Sequence, residues 1–305
     1  EGTYDLNTSP EYTDVCNKAV YYKVTKEGFS AVTGSAKVII TKADLTVTAK
    51  DKTITYGDVP TNDGVTYSGF VGTDDASVLD GTLGYDYNYT QYGNVGDNYS
   101  ITPKNLTSTN YNITFTVGKL TVNQKEVGLT WPNTHLTFNG TEQVPTCEAT
   151  GLVNGDEVGV TVIVAGEHTA IGNYTATASA LTGAKAGNYK LPADNTHTFS
   201  IDEAGMAGIV ATGFNNTYDG TAHGINVTIP DGATVKFGET EGTYDLNTSP
   251  EYTDVCNKIV YYKVTKAGFS DVTGSAKVII TQKEVGLNWT NTSLVFDGTP
   301  QEPHC

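Results

Sequence analysis

Three groups of side chains in this sequence have the types and spacing that chemistry could use. Asp74, Asp75 and Asp80 crowd one loop, GTDDASVLDG, and carboxylate oxygens are the hard ligands that Ca²⁺ takes. Their spacing fits no EF-hand, so a solvated acidic loop is the plainer reading and calcium the only cofactor to weigh; no other metal site or cofactor is expected. Tyr85, Tyr87, Tyr89 and Tyr92, in YDYNYTQY, could stack on sugar rings as a glycan contact. Alternation puts the first three on one face of a strand. Tyrosine is equally a strand former and cross-strand partner, which is the competing structural reading. The four cysteines, Cys16, Cys147, Cys256 and Cys305, include no CxxC pair, which argues against a zinc site or a thioredoxin-type centre.

Catalytic constellations are missing. GxSxG, HExxH, a P-loop and GxGxxG do not occur, and His135, His168, His197, His223 and His304 are scattered singly. A formal net charge of −16 and the lack of any arginine make nucleic acid and anionic membranes poor partners. No apolar run reaches the roughly 18 residues of a membrane span, and no basic segment with an apolar h-region opens the sequence. The chain therefore reads as a soluble interior fragment of a non-enzyme.

The elements that must position these residues are strands and turns. Charged residues make up 17% of the chain, and Gly, Thr, Asn, Asp and Tyr fill the space between short apolar runs. Leu45, Val47 and Ala49 alternate with Thr46, Thr48 and Lys50, and Ile113, Phe115 and Val117 with Thr114 and Thr116, predicting half-buried strands. Asn139-Gly140, Asp219-Gly220 and Asp297-Gly298, each following an aromatic residue, predict tight hairpins.

The sequence repeats itself. Residues 1–41 return as 241–281 with differences only at Ala19/Ile259, Glu27/Ala267 and Ala31/Asp271, and 125–147 return in diverged form as 283–305. Cuts between closing and opening strands give 1–42 as the back half of a type A module, 43–124 as a type B, 125–204 as a type C, 205–282 as a complete type A, and 283–305 as the front of a second C. Passages such as VIITKADLTVTAK and KLTVNQKEVGLTW contain no Gly/Ser- or Pro-rich spacer, which leaves little hinge freedom. At about 3.3 Å per strand residue, each module would add roughly 30 to 40 Å to an array. A disulfide inside a complete module is excluded by count, so Cys16 and Cys305 are the candidates for an intermodule or interchain bond. The half modules at the two ends are complementary: either the tail of one chain completes the head of the next, or the missing halves belong to a longer repeat protein.

Tyr56-Gly57-Asp58, Phe138-Asn139-Gly140-Thr141, Tyr218-Asp219-Gly220-Thr221, ALTGAKAGNYKL (180–191), NYNITFTVGKLTV (110–122) and VYYKVTKAGFSDVTGSAKVII (260–280) resemble MBG-type bacterial Ig-like repeat domains over nearly the whole chain. The resemblance implies an all-β fold of tandem Ig-like β-sandwich modules in a linear array, extracellular, either secreted or on a bacterial cell surface. It implies display or adhesion and brings no catalytic residues. The expected role is a structural or adhesive fibre or stalk that spaces or displays a distal tip; the alternative is a carbohydrate-binding surface module. Expected partners are copies of itself or adjacent repeat modules, then host or microbial glycans or proteins.

Overall fold

The computed structural model describes residue 4, residues 6–290 and residues 292–305; the remaining residues of the 1–41 repeat and Asn291 lie outside the described residues. The chain is all-β. Among the described residues the only helical turns are 3₁₀ segments at Ala76–Val78 and Ala186–Asn188. Two compact units are present, one comprising Glu1–Pro132, Cys147–Val162 and Thr177–Asn195, the other Asn133–Thr146, Ile163–Ala176 and Thr196–Cys305. The division runs through module C.

The first unit begins with an antiparallel hairpin of β1 (Cys16–Val24) and β2 (Val32–Ile40). Module B follows as a two-sheet sandwich. β3 (Ala43–Ala49), β5 (Val65–Ser68) and β8 (Tyr111–Thr116) form one sheet in the order β5-β3-β8. β4 (Lys52–Thr55), β6 (Gly84–Tyr87), β7 (Gly96–Lys104) and β9 (Gly118–Asn123) form the other in the order β4-β9-β7-β6. β3 runs parallel to β8 and β4 parallel to β9, so the opening and closing strands each change sheet partway. The predicted alternation holds for Leu45, Val47 and Ala49, which are buried at 0–3% exposure.

It fails at Val117, which is 56% exposed and belongs to neither sheet. The reason is the change of sheet: β8 ends at Thr116, β9 starts at Gly118, and the intervening residue is turned outward. Gly118 passes so close to the matching crossover of β3 and β4 that a Cβ there would lie 2.5 Å from the Ala49 carbonyl oxygen and 2.8 Å from that of Lys50.

Residues 125–204, the expected module C, hold β10 (Lys125–Glu126), β11 (Gly128–Thr130), β12 (His135–Thr137), β13 (Glu148–Thr150), β14 (Gly159–Val164), β15 (Gly172–Thr182), β16 (Tyr189–Lys190) and β17 (Thr196–Asp202). In the first unit β11 pairs antiparallel with β13 and β10 parallel with β16; in the second, β12 pairs parallel with β17. Module A, in the second unit, contains β18 (Val210–Thr212), β19 (Phe214–Thr217), β20 (Asn226–Thr228), β21 (Thr234–Gly238), β22 (Cys256–Lys266) and β23 (Phe269–Thr281). Its sheets have the orders β18-β20 and β19-β23-β22-β21, and β19 again runs parallel to the closing strand.

The hairpins expected at the Asx-Gly pairs do not form. β12 and β19, which precede two of them, pair in parallel with distant strands and not with the next strand in sequence. Gly140, Gly220 and Gly298 do take positive φ (79°, 81° and 84°). The Asx side chain closes the turn locally, accepting from the backbone N–H of Thr141, Thr221 and Thr299 at 2.8–2.9 Å. The signal marks where an opening strand stops.

The duplicated hairpin shows how context decides burial. Cys16↔Ile40 through Val24↔Val32 is the same register as Cys256↔Ile280 through Val264↔Val272. In module A, Val264 is fully buried and Tyr262 is 9% exposed, whereas Val24 is 61% and Tyr22 49% exposed. Local sequence sets the ladder; burial of its apolar face requires the facing sheet that module A supplies.

Candidate functional site

Two of the three acidic-loop carboxylates already have a structural task, and the third residue is held by its backbone. Asp74 accepts the Tyr111 hydroxyl at 2.6 Å, Asp75 caps the 3₁₀ turn by accepting the Ser77 N–H at 2.8 Å, and Asp80 is tied through its backbone to Thr107. Among the described residues no group of three or more His, Cys, Asp or Glu side chains is placed to hold a metal ion.

The tyrosine cluster turns inward. Tyr89 is 2% exposed, and Tyr85 and Tyr87 pack against the same core. The Asn62 carboxamide donates to the Tyr87 hydroxyl at 2.7 Å. Tyr92 sits in a turn at φ 67°. The face shared by the first three rings is therefore the core face, and the surface platform that sugar stacking needs is not formed by them. All four cysteines are free; Cys16 is half-buried and Cys305 exposed.

What the fold does assemble is a junction. Only Gln124 separates β9, the last strand of module B, from β10, the first of module C. One core runs through the boundary: Tyr56, Leu120 and Val122 from B join Val127 and Tyr189 from C, with Leu152, Val153 and Leu181 packed against them. Tyr56 and Tyr189, 1% and 2% exposed, meet edge to face at 5.3 Å. Gly57, beside Tyr56, has φ +96°, which strains any L side chain, and a Cβ there would also crowd a Val153 methyl of the facing loop at 3.1 Å.

Polar groups fix the register of this contact. The Tyr56 and Tyr189 hydroxyls both donate to Asp156 Oδ2, at 2.7 and 2.8 Å, while the Val153 N–H donates to the Tyr189 hydroxyl at 3.0 Å. Asn188, 4% exposed, accepts the Val95 N–H at 3.0 Å on Oδ1 and donates through Nδ2 to Asn94 Oδ1 at 3.2 Å. Gln124 Nε2 donates to the Gly187 carbonyl at 3.0 Å. Apart from the exposed Gln124 contact, these bonds join part-buried groups that would be costly to leave unpaired, so they favour one docking geometry where apolar contact alone would tolerate several.

Burial, followed by the hydrogen bond to Asp156 and the charge of that carboxylate, pushes Tyr56 up to about 12 from 10.0. Burial and the same carboxylate also raise Tyr189, against the Val153 N–H. A phenol whose folded pKa lies above its unfolded one contributes stability that is complete below the unfolded value and lost as pH climbs through the folded one. The junction is thus expected to hold unchanged to about pH 10 and to weaken between there and about pH 12. Denaturant unfolding across that range should show a shallower alkaline loss for Tyr56→Phe than for the parent; identical slopes would exclude Tyr56 as a source of the loss.

The same device recurs at the front of module B. Asn110 accepts the Val15 N–H at 2.9 Å and donates to Asp14 Oδ1 at 2.8 Å, and Tyr111 accepts the Val71 N–H while donating to Asp74. Asn110-Tyr111 therefore stands to Asp14-Val15 as Asn188-Tyr189 stands to Asn94-Val95. In the second unit, module A uses Phe269 at the corresponding place, edge to face with Phe138 at 5.7 Å. Sequence reading noted the Asn-Tyr stretches at 110–122 and 180–191 only as part of the family resemblance and assigned the pairs no contact. Their signal was the recurrence of NY at the start of a closing strand in both B and C.

No curated protein matches the chain. Among solved structures, extracellular domains 3–5 of Drosophila OTK align at 11% identity over 80% of this chain and 100% of that one, with a TM-score of 0.24. The N-terminal eight Ig domains of Down Syndrome Cell Adhesion Molecule align at 12% identity over 88% of this chain and 40% of that one, TM-score 0.28. The titin I-band fragment I67–I69 aligns at 11% identity, over 79% and 98% of the two chains, TM-score 0.22. Scores this low bear on neither function nor assembly. The family comparison is local and specific: residues 45–121 match the model of the MBG domain, YGX type, and within that match Tyr56-Gly57-Asp58 is the Tyr-Gly-X turn that faces module C. Module B is an MBG domain.

Proposed function

We propose that the chain is a non-catalytic segment of an extracellular structural or adhesive array, built from Ig-like modules at 43–124, 125–204 and 205–282 with part modules at 1–42 and 283–305. In this reading it spaces or displays a more distal element. The observation that carries it is the B–C junction: one intervening residue, a shared apolar core and a set of part-buried hydrogen bonds link 43–124 to 125–204, which supports a fixed relation between successive modules. An enzyme needs one well-placed site, whereas an array needs a repeated joint. Near-identical duplication of 1–41 as 241–281 serves the second need and not the first.

Its partners are neighbouring copies or adjacent modules, and exposed Cys305 with half-buried Cys16 are candidates to cross-link copies in an oxidising compartment. A bacterial surface or secreted location is the setting proposed. The test is rigidity. Dyes placed on exposed Thr61 in module B and Asn154 in module C should give a single narrow distance distribution by single-molecule energy transfer. A broad distribution like that of flexibly linked domains would overturn the reading.

A further inference from the structure

Residues 124–129 read Gln-Lys-Glu-Val-Gly-Leu, and residues 282–287 read the same. The first copy follows module B and is fully paired. β10 lies parallel to β16, the Val127 N–H donates to the Lys190 carbonyl at 3.1 Å, and Lys190 Nζ lies 3.3 Å from Glu126. Val127 is 3% exposed. The second copy follows module A, and there Val285 is 83% and Leu287 65% exposed. The same six residues are thus seen with a strand partner after B and without one after A.

What surrounds the second copy has the form of the B socket. Tyr218, whose N–H donates to the Thr281 carbonyl at 2.9 Å, sits where Tyr56 sits with its N–H donated to Asn123, also at 2.9 Å. Together with Asp254, Val255 and the 282–285 segment it lines an open cleft of about 820 Å³. Asp254-Val255 is the duplicate of Asp14-Val15, the pair that holds the Asn110 carboxamide. The cleft therefore presents the duplicate of an Asp-Val pair that binds asparagine through one acceptor and one donor, an aromatic ring for edge-to-face contact, a segment without a strand partner and an acidic residue, Glu284, in the place of Glu126.

The pairing is selective within the chain. B offers Asn94-Val95 and C brings Asn188; the front hairpin offers Asp14-Val15 and B brings Asn110. C offers Ala170-Ile171 at this position, and module A, which follows it, has Gly268-Phe269 where the others have Asn-Tyr. Socket and plug lose their amide chemistry together.

We infer that the cleft bounded by Tyr218, Asp254, Val255 and 282–285 is an open junction socket, and that its occupant is the closing strand of a C-type module, Gly187-Asn188-Tyr189-Lys190-Leu191 in this sequence. The asparagine binds across Asp254 and the Val255 N–H, the tyrosine ring packs on Tyr218, and the backbone adds in parallel to Lys283–Glu284. This deepens the array reading and rests on it for biological meaning, but the two fail separately, because the B–C distance measurement does not involve this cleft.

The test uses the full chain, isotope-labelled for amide NMR, and a synthetic peptide of residues 182–191. Saturable shifts confined to Val255 and 283–287, sparing Val95 and Val127, are expected, with at least tenfold weaker binding for the peptide carrying Asn188→Ala and for the chain carrying Asp254→Ala. A peptide of residues 266–271, the Gly-Phe type, should not compete. No shifts at millimolar peptide, equal binding by the Asn188→Ala or Gly-Phe peptides, or shifts at Val95 and Val127 would each overturn the proposal.

Discussion

Tyr189→Ala is expected to destabilise the B–C junction by about 4 kcal/mol, the range for emptying a buried aromatic site. Tyr189 is 2% exposed, its ring edge meets Tyr56, and its hydroxyl both donates to Asp156 and accepts from Val153. Removing it opens a cavity in a core built by two modules and strands a backbone N–H inside it. Because that core couples the modules, the parent should unfold B and C in one denaturant transition and the variant in two. Tyr189→Phe keeps the ring and should cost only about 1 to 2 kcal/mol, chiefly for the lost hydrogen bonds. A variant that still unfolds in a single transition at the parent midpoint would show that Tyr189 does not join the modules.

Gly118→Ala is expected to cost module B roughly 3 kcal/mol, the upper part of the range for overpacking a core. The added methyl would sit 2.5 Å from the Ala49 carbonyl oxygen and 2.8 Å from that of Lys50. Both obstacles are backbone, so no rotamer change relieves them, and the crossovers of the opening and closing strands must separate. Next to this point the Lys119 N–H donates to Asp51 at 2.7 Å, which pins the crossovers from the other side. Val117→Ala, one residue earlier but 56% exposed, should change stability by no more than about 0.5 kcal/mol. Equal midpoints for the two variants in urea would show that the crossover is not tightly packed.

Much of the architecture was legible because it is written in short-range pattern. Alternation located β3 and most of β8, and the positive φ of Gly140, Gly220 and Gly298 was marked by their Asx-Gly pairs. The absence of a spacer in KLTVNQKEVGLTW matches the single residue, Gln124, that separates β9 from β10. The errors share one cause: periodicity along a strand does not say which sheet each part of the strand joins. Val117 and the Asx-Gly turns were misread because an opening strand pairs in parallel with a closing strand some 65 residues later, as in His135↔Ser200 and Phe214↔Val278. The junction was hidden for a related reason. Asn188 and Val95 meet across 93 residues of sequence, and an Asn-Tyr pair at the head of a strand looks like any other until the module in front of it is in place. Tyr85, Tyr87 and Tyr89 shared a face as expected, but alternation could not tell an inward face from an outward one.

The parallel pairing of opening and closing strands has a mechanical consequence. When the two ends of module B are drawn apart, β3 is pulled one way and β8 the other along their common axis, and β4 and β9 likewise. The ladder from Ala43↔Tyr111 to Thr48↔Thr116, with that from Lys52↔Leu120 to Thr55↔Asn123, is then loaded in shear. Its hydrogen bonds lie across the direction of pull and share the load, whereas a hairpin peeled from one end gives way a bond at a time. Tension carried along such an array would meet its greatest resistance at the strands that the chain enters and leaves by.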